Sequence, residues 1–133
     1  MSGCSGSRPI NLGVTQNQLS ACPDRPNCVN SFASVDDEHY VAPLEIQGDA
    51  AATWQKLQDV IKQTERSEII KSEPTYIYAE YTTKLMRFVD DVEFLLQPEA
   101  GKIQVRSASR LGYRDFGVNR ERIEAIRAEL QGQ

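Results

Sequence analysis

Val89-Asp90-Asp91-Val92-Glu93-Phe94-Leu95-Leu96-Gln97, then Pro98-Glu99-Ala100-Gly101, then Lys102-Ile103-Gln104-Val105-Arg106-Ser107-Ala108-Ser109: two extended runs flank a turn, and their pairing decides the fold. If the turn holds those four residues, Gln97 faces Lys102. One side then carries Leu96 opposite Ile103, Phe94 opposite Val105 and Val92 opposite Ser107. The other carries Leu95 by Gln104, Glu93 by Arg106 and Asp91 by Ala108. A slip of one residue would mix the faces, so the pattern selects this register. It predicts a cross-strand Glu93–Arg106 pair with Asp91 beside it, and Arg87 and Arg110 near in sequence. The polar side reads as the open, solvated face of an antiparallel sheet, where such a pair contributes about 0.2–1 kcal/mol.

Upstream of the hairpin, Glu68–Glu73 reads as a strand stopped by Pro74. Thr75–Thr83 is rich in Tyr, Ile and Thr, which suit a pleated surface. Leu44-Glu45-Ile46 is a further short strand. Asp49 then caps a helix from Ala50 to about Thr64, with Trp54, Leu57, Val60 and Ile61 at helical spacing. A second helix runs from Val118 to about Gln131, with Ile123, Ile126 and Leu130 on one side and Asp115 or Asn119 as its cap. This order predicts an α+β fold: a two-layer domain with an antiparallel sheet of about four to five strands and two helices on one face.

The chain has 133 residues, 40% hydrophobic and 26% charged, enough for one core that does not depend on metal or disulfides. Its net charge of −4 argues against a general nucleic-acid binder. Residues 1–20 read as a flexible tail or lipoprotein linker, and 21–133 as a single α+β domain. Residues 21–43 lack periodicity and are expected to drape over its surface. Ser2-Gly3-Cys4 reads as the end of a lipoprotein signal whose apolar stretch lies outside this sequence, so Cys4 is the expected lipidation site. That leaves Cys22 and Cys28, which an oxidising compartment would pair as a disulfide. The alternative is a zinc site from Cys22, Cys28 and His39, which lacks a fourth ligand and the usual cysteine spacing.

Three motifs carry a family resemblance. Cys22-Pro23-Asp24-Arg25-Pro26-Asn27-Cys28-Val29-Asn30-Ser31, Phe88-Val89-Asp90-Asp91-Val92-Glu93-Phe94, and Arg106-Ser107-Ala108-Ser109-Arg110-Leu111-Gly112-Tyr113-Arg114-Asp115-Phe116-Gly117-Val118-Asn119-Arg120 resemble, in order, the motifs of the bacterial family called domain of unknown function 1499. The resemblance implies a bacterial, often envelope-associated protein. It supplies no activity, substrate or cofactor.

Other signals fall away. Asp115-Phe116-Gly117 spells a kinase magnesium motif, but the rest of a kinase is missing. His39 is the sole histidine, and no nucleophile elbow surrounds Ser31 or Ser34 to make a hydrolase triad. The function expected is a non-catalytic envelope domain on the periplasmic side, with Cys4 as its expected lipid anchor. It would bind a small anionic ligand or an envelope protein partner, with no nucleic acid, cofactor or metal. Its candidate ligand-binding residues are Asp91, Glu93, Arg106, Ser107, Ser109, Arg110, Tyr113, Arg114, Asn119 and Arg120. Arginines there would bind the anion and carboxylates would orient them. One alternative is a hydrolase using Asp90, Asp91 or Glu93 as an acid/base pair on the open sheet face. Another is a purely structural or assembly protein.

Overall fold

The computed structural model describes residues 6–132. In chain order the elements are β1 (Val14–Thr15), β2 (Gln18–Leu19), β3 (Cys28–Asn30), β4 (Leu44–Glu45), α1 (Ala50–Gln63), β5 (Ser67–Ser72), β6 (Tyr76–Thr82), β7 (Val89–Gln97), β8 (Lys102–Ser109) and α2 (Val118–Leu130). β7 and β8 pair in the predicted register, with Gln97 opposite Lys102, Phe94 opposite Val105 and Glu93 opposite Arg106. The turn is a short 3-10 segment, Pro98–Ala100, closed by Gly101 at φ 69°, a left-handed position that costs glycine little. β6 joins β7 and β5 joins β6, all antiparallel.

The main sheet has six strands in the order β3-β8-β7-β6-β5, with β4 also pairing to β8. That is slightly more than the expected four to five. The extra strand is β3, three residues from the aperiodic 21–43 segment, which borders β8 at Arg106–Ala108. A strand so short has no room to show a period of two, so only its partner reveals it.

Both helices lie against one face. Asp49 caps α1, its carboxylate accepting from the Ala52 amide at 2.8 Å. Thr53, Trp54, Leu57 and Ile61 are the buried residues of α1. α2 begins after Gly117, at φ 83°, and Asp115 supplies the cap by accepting from the Gly117 and Asn119 amides. Between helices and sheet lies the main core, which includes Trp54, Leu57, Ile61, Ile77, Val92, Phe94, Ile103, Val105, Ile123 and Ile126.

The opposite face of the sheet is not open. The chain from Arg8 to Ala21 crosses it, and β1 and β2 form a small antiparallel ribbon within that arm. Leu19 is buried there with Tyr76, Tyr78 and Leu95, and Leu12, Phe32 and Ile70 pack around them. Asn30 ties the arm down by donating to the Ser20 carbonyl at 2.6 Å. The expected solvated face is therefore a second, smaller core. The physical reason is that Tyr76, Tyr78 and Leu95 form an apolar strip among the charges, which the arm removes from water.

Leu19 anchors that cover, whereas Ile10 on the same arm is fully exposed. Leu19→Ala should lower stability by about 2–3 kcal/mol, with faster hydrogen exchange at the Gly13 amide, and Ile10→Ala should change neither. Urea unfolding and exchange mass spectrometry read both.

Candidate functional site

β7 distributes its acidic residues to opposite faces, because strand side chains alternate. Asp91 and Glu93 point under the arm, and Asp90 points toward α2. All three are essentially buried.

On the arm side, Glu93 has 0% exposure. One of its oxygens accepts from the Tyr76 hydroxyl at 2.5 Å and from the Gly13 amide at 2.6 Å. Its other oxygen is buried, has no hydrogen bond among the described residues and lies 3.8 Å from Nη1 of the Arg106 guanidinium. Arg106 donates through Nε and Nη2 to the carbonyls of Ser20 and Ala21. The predicted pair is therefore present, but as a buried ion pair that pins the arm and not as a solvated one. Burial is the main cause that holds the Glu93 carboxyl above the usual carboxylate range, against hydrogen bonds that pull it down. Burial likewise lowers Arg106 from its ordinary value, opposed chiefly by Glu93.

Asp91 lies beside this pair. Arg110 grips it through Nη2 at 2.6 Å and Nε at 3.2 Å, and the Tyr78 hydroxyl donates to it at 2.6 Å. Arg110 Nη2 also reaches Glu80 at 2.8 Å, and Glu80 in turn takes Arg8 Nε at 2.6 Å. The hydrogen bond to Asp91 is the largest cause that raises Arg110 above its ordinary value. Arg87 does not join the cluster, since it sits in the β6–β7 loop at a positive φ and makes no ion pair among the described residues.

On the helix side, Arg122 of α2 pairs with Asp90 at 2.6 Å and lies 4.7 Å from the Tyr81 ring centroid. Its other arm reaches Ser107 Oγ and Asn119 Oδ1. Buried Asn119 joins Ser107, Ser109, Asp115 and the Asn27 carbonyl in one network. Burial is the largest cause that raises Asp90, against the pull of Arg122. Asp90 thus faces away from Asp91 and Glu93, and cannot act with either as a carboxylate pair.

The predicted residues therefore fall into four places. Asp91, Glu93, Arg106 and Arg110 meet under the arm. Ser107, Ser109 and Asn119 lock α2 to the sheet. Tyr113 and Arg114 are exposed on the β8–α2 loop, where Arg114 lies 5.6 Å from the Tyr113 ring centroid. Arg120 donates to the carbonyls of Tyr40 and Glu38. The sequence reading did not find Tyr76, Tyr78, Glu80, Arg8, Gly13 or Arg122. Alternation would have placed Tyr76, Tyr78 and Glu80 on the face of Asp91 and Glu93. Nothing local announces Arg8 or Gly13, which lie more than 70 residues from their partners.

A hollow of about 340 Å³ opens beside the cluster, between Pro9 and Asn11 of the arm, the Cys22–Cys28 loop and β8. Arg25, Asp91, Arg106, Ser109 and Arg110 line it. A larger groove of about 640 Å³ lies between α1, α2 and the end of β6, over Tyr81, whose buried hydroxyl has no hydrogen-bond partner among the described residues. Burial raises that hydroxyl to about 12.

Cys22 and Cys28 form a disulfide. This consumes both thiolates of the zinc alternative. His39 instead bonds through Nδ1 to the Cys28 carbonyl at 2.9 Å and has Asp24 and Glu38 nearby. The Ser31 hydroxyl bonds Gln104, not a histidine. Asp115-Phe116-Gly117 is the α2 cap, with Phe116 exposed. Cys4 lies outside the described residues. Among the described residues no helix is long and apolar enough to cross a membrane.

A family model described as "Protein of unknown function (DUF1499)" matches residues 18–130. Neither a curated protein nor a solved structure matches the chain.

A carboxyl whose folded pKa is raised adds stability that is full below its unfolded pKa and is lost as pH rises through the folded value. The stability gap between the wild type and Glu93→Gln should therefore be widest below about pH 4.5 and narrow as pH rises to neutrality. Urea midpoints across that range measure it, and a gap that widens with pH would contradict the burial-dominated environment.

Proposed function

We propose that this chain, which belongs to the DUF1499 family, is a non-catalytic envelope domain that binds a small anionic ligand in the hollow beside the arm. The observation that carries the reading is the convergence of three guanidiniums, Arg25, Arg106 and Arg110, on one concavity of a protein whose net charge is −4. Arg110 makes its hydrogen bonds through Nε and Nη2, which leaves its Nη1 without an acceptor among the described residues, whereas Arg106 turns Nη1 toward Glu93 at 3.8 Å. Arg25 makes only a long contact, 3.4 Å, to the Gly112 carbonyl. Those free donors suit a carboxylate or phosphate oxygen.

The same geometry disfavours acid/base catalysis at this place. Tyr78 and Arg110 occupy Asp91, and Tyr76, Gly13 and Arg106 surround Glu93. A general base must reach its substrate's proton within hydrogen-bond distance, and neither carboxylate presents a free oxygen to the hollow's mouth. The roles of these carboxylates in the proposed site are to hold Arg106 and Arg110 in place and to close the arm. An envelope setting accords with the disulfide, since oxidising compartments preserve such bonds.

The test is thermal unfolding with inorganic phosphate, citrate and short dicarboxylates, followed by calorimetry on any that stabilise. Arg25 is exposed, so Arg25→Gln should leave the melting temperature unchanged without ligand and weaken binding at least tenfold, a loss of about 1.4 kcal/mol. Arg110→Gln should weaken both binding and stability. Binding that survives both substitutions, or no stabilisation by any anion, would refute the site.

A further inference from the structure

One end of the sheet carries both the β6–β7 loop and the β8–α2 loop. The pairing of Thr82 with Val89 and of Asp90 with Ser109 brings them side by side, and the Arg110 amide bonds the Val89 carbonyl at 3.0 Å. These loops expose large apolar side chains, Leu85 at 87%, Met86 at 65% and Phe116 at 90%, and Tyr113 and Leu111 of the β8–α2 loop are exposed to a lesser degree. Scattered single apolar residues on a surface need no explanation, but several on two neighbouring loops do. Lys84, Arg87 and Arg114 are interleaved with them and also exposed. Asp115 of the same loop caps α2, accepting from the Gly117 and Asn119 amides.

The N-terminal arm ends at the same place. Gly6 packs against the Leu111 side chain, and Arg8 is held at the end of β6 by Glu80. Cys4 precedes Gly6 by two residues in the sequence.

We infer that this end docks on a bilayer bearing anionic phospholipid headgroups, with Leu85, Met86 and Phe116 entering the interface. Apolar side chains flanked by basic ones are the chemistry of interfacial binding, and in a chain whose net charge is −4 the interleaved Lys84, Arg87 and Arg114 are a directing feature. An acyl chain on Cys4 would act as the second signal that stable anchoring requires. The β7–β8 turn, at the opposite end of the sheet, would then face away from the membrane, as would any partner bound there.

The full chain offers a direct test, because Cys22 and Cys28 are bridged and Cys4 remains for coupling to a maleimide lipid in phosphatidylglycerol-rich vesicles. Phe116→Trp places an indole on the docking loops, and Glu99→Trp places one on the opposite turn. On tethered protein, the emission added by Phe116→Trp should shift to the blue and be quenched by brominated lipids, while that added by Glu99→Trp stays water-like. Without tethering, replacing Lys84, Arg87 or Arg114 with Gln should weaken vesicle binding by about fivefold each, and Leu85→Asp with Met86→Asp should abolish it. All these positions are exposed, so folding should survive, which circular dichroism checks. If the Phe116→Trp indole stays water-like on tethered protein, the inference fails and the patch is a surface for a protein partner. If both indoles shift equally, the proposed orientation is wrong.

Discussion

A carboxylate buried without partners is too costly to tolerate, and Glu93 sits at 0% exposure in the middle of the central strand. Most of the chain's arrangement on that side follows from meeting its needs. Tyr76 reaches it from the strand on one side, Arg106 from the strand on the other, and the Gly13 amide from an arm 80 residues away. Arg106 then needs acceptors for its remaining donors, and it finds them in the carbonyls of Ser20 and Ala21. The arm is thus held by charge as well as by Leu19. Buried ion pairs of this kind add little net stability over an apolar replacement, but removing one member costs much more than the pair is worth. That asymmetry makes the arm's position specific.

The two faces of β7 use the same chemistry for different ends. Under the arm, Arg106 holds the N-terminal segment to the sheet, while Arg110 ties β8 to Asp91, Tyr78 and Glu80 of the neighbouring strands. Toward the helices, Asp90 and Arg122 hold α2, with Asn119 bonding Ser107, Ser109 and the carbonyl of Asn27. The Cys22–Cys28 disulfide sits where both networks meet β3, since Cys28 pairs with Ala108 between Ser107 and Ser109. Motif residues that look like one binding site along the chain are in fact divided by the sheet. Most are already committed to other protein groups, and the donors left over in the hollow are those of Arg25 and Arg110.

The hollow beside the arm and the exposed loops make separate demands. The hollow needs the arm in place, because Pro9 and Asn11 form part of its wall. The loops need the arm's beginning to lie at their end of the sheet, where Gly6 meets Leu111. One segment therefore serves both. A membrane-bound state that pulled on the arm would reach Glu93 and Arg106 through Gly13, Ser20 and Ala21.

Local sequence determined the elements whose period is long enough to read. The alternation from Val89 to Ser109 fixed which residues face each other, because shifting by one would have put Phe94 and Val105 on the polar side. Asp49, Trp54, Leu57 and Ile61 marked α1, and Ile123, Ile126 and Leu130 marked α2, by spacing alone. The same alternation could say which residues share a face, but not whether that face meets water. Tertiary structure decided that, by laying an aperiodic arm across Tyr76, Tyr78 and Leu95 and turning an expected surface pair into a buried one. It also supplied β3, which only its pairing with β8 makes a strand. The physical reason is the range of the interactions: periodicity records contacts within a strand or helix, while the cover over Glu93 depends on groups at opposite ends of the chain, which no local pattern encodes.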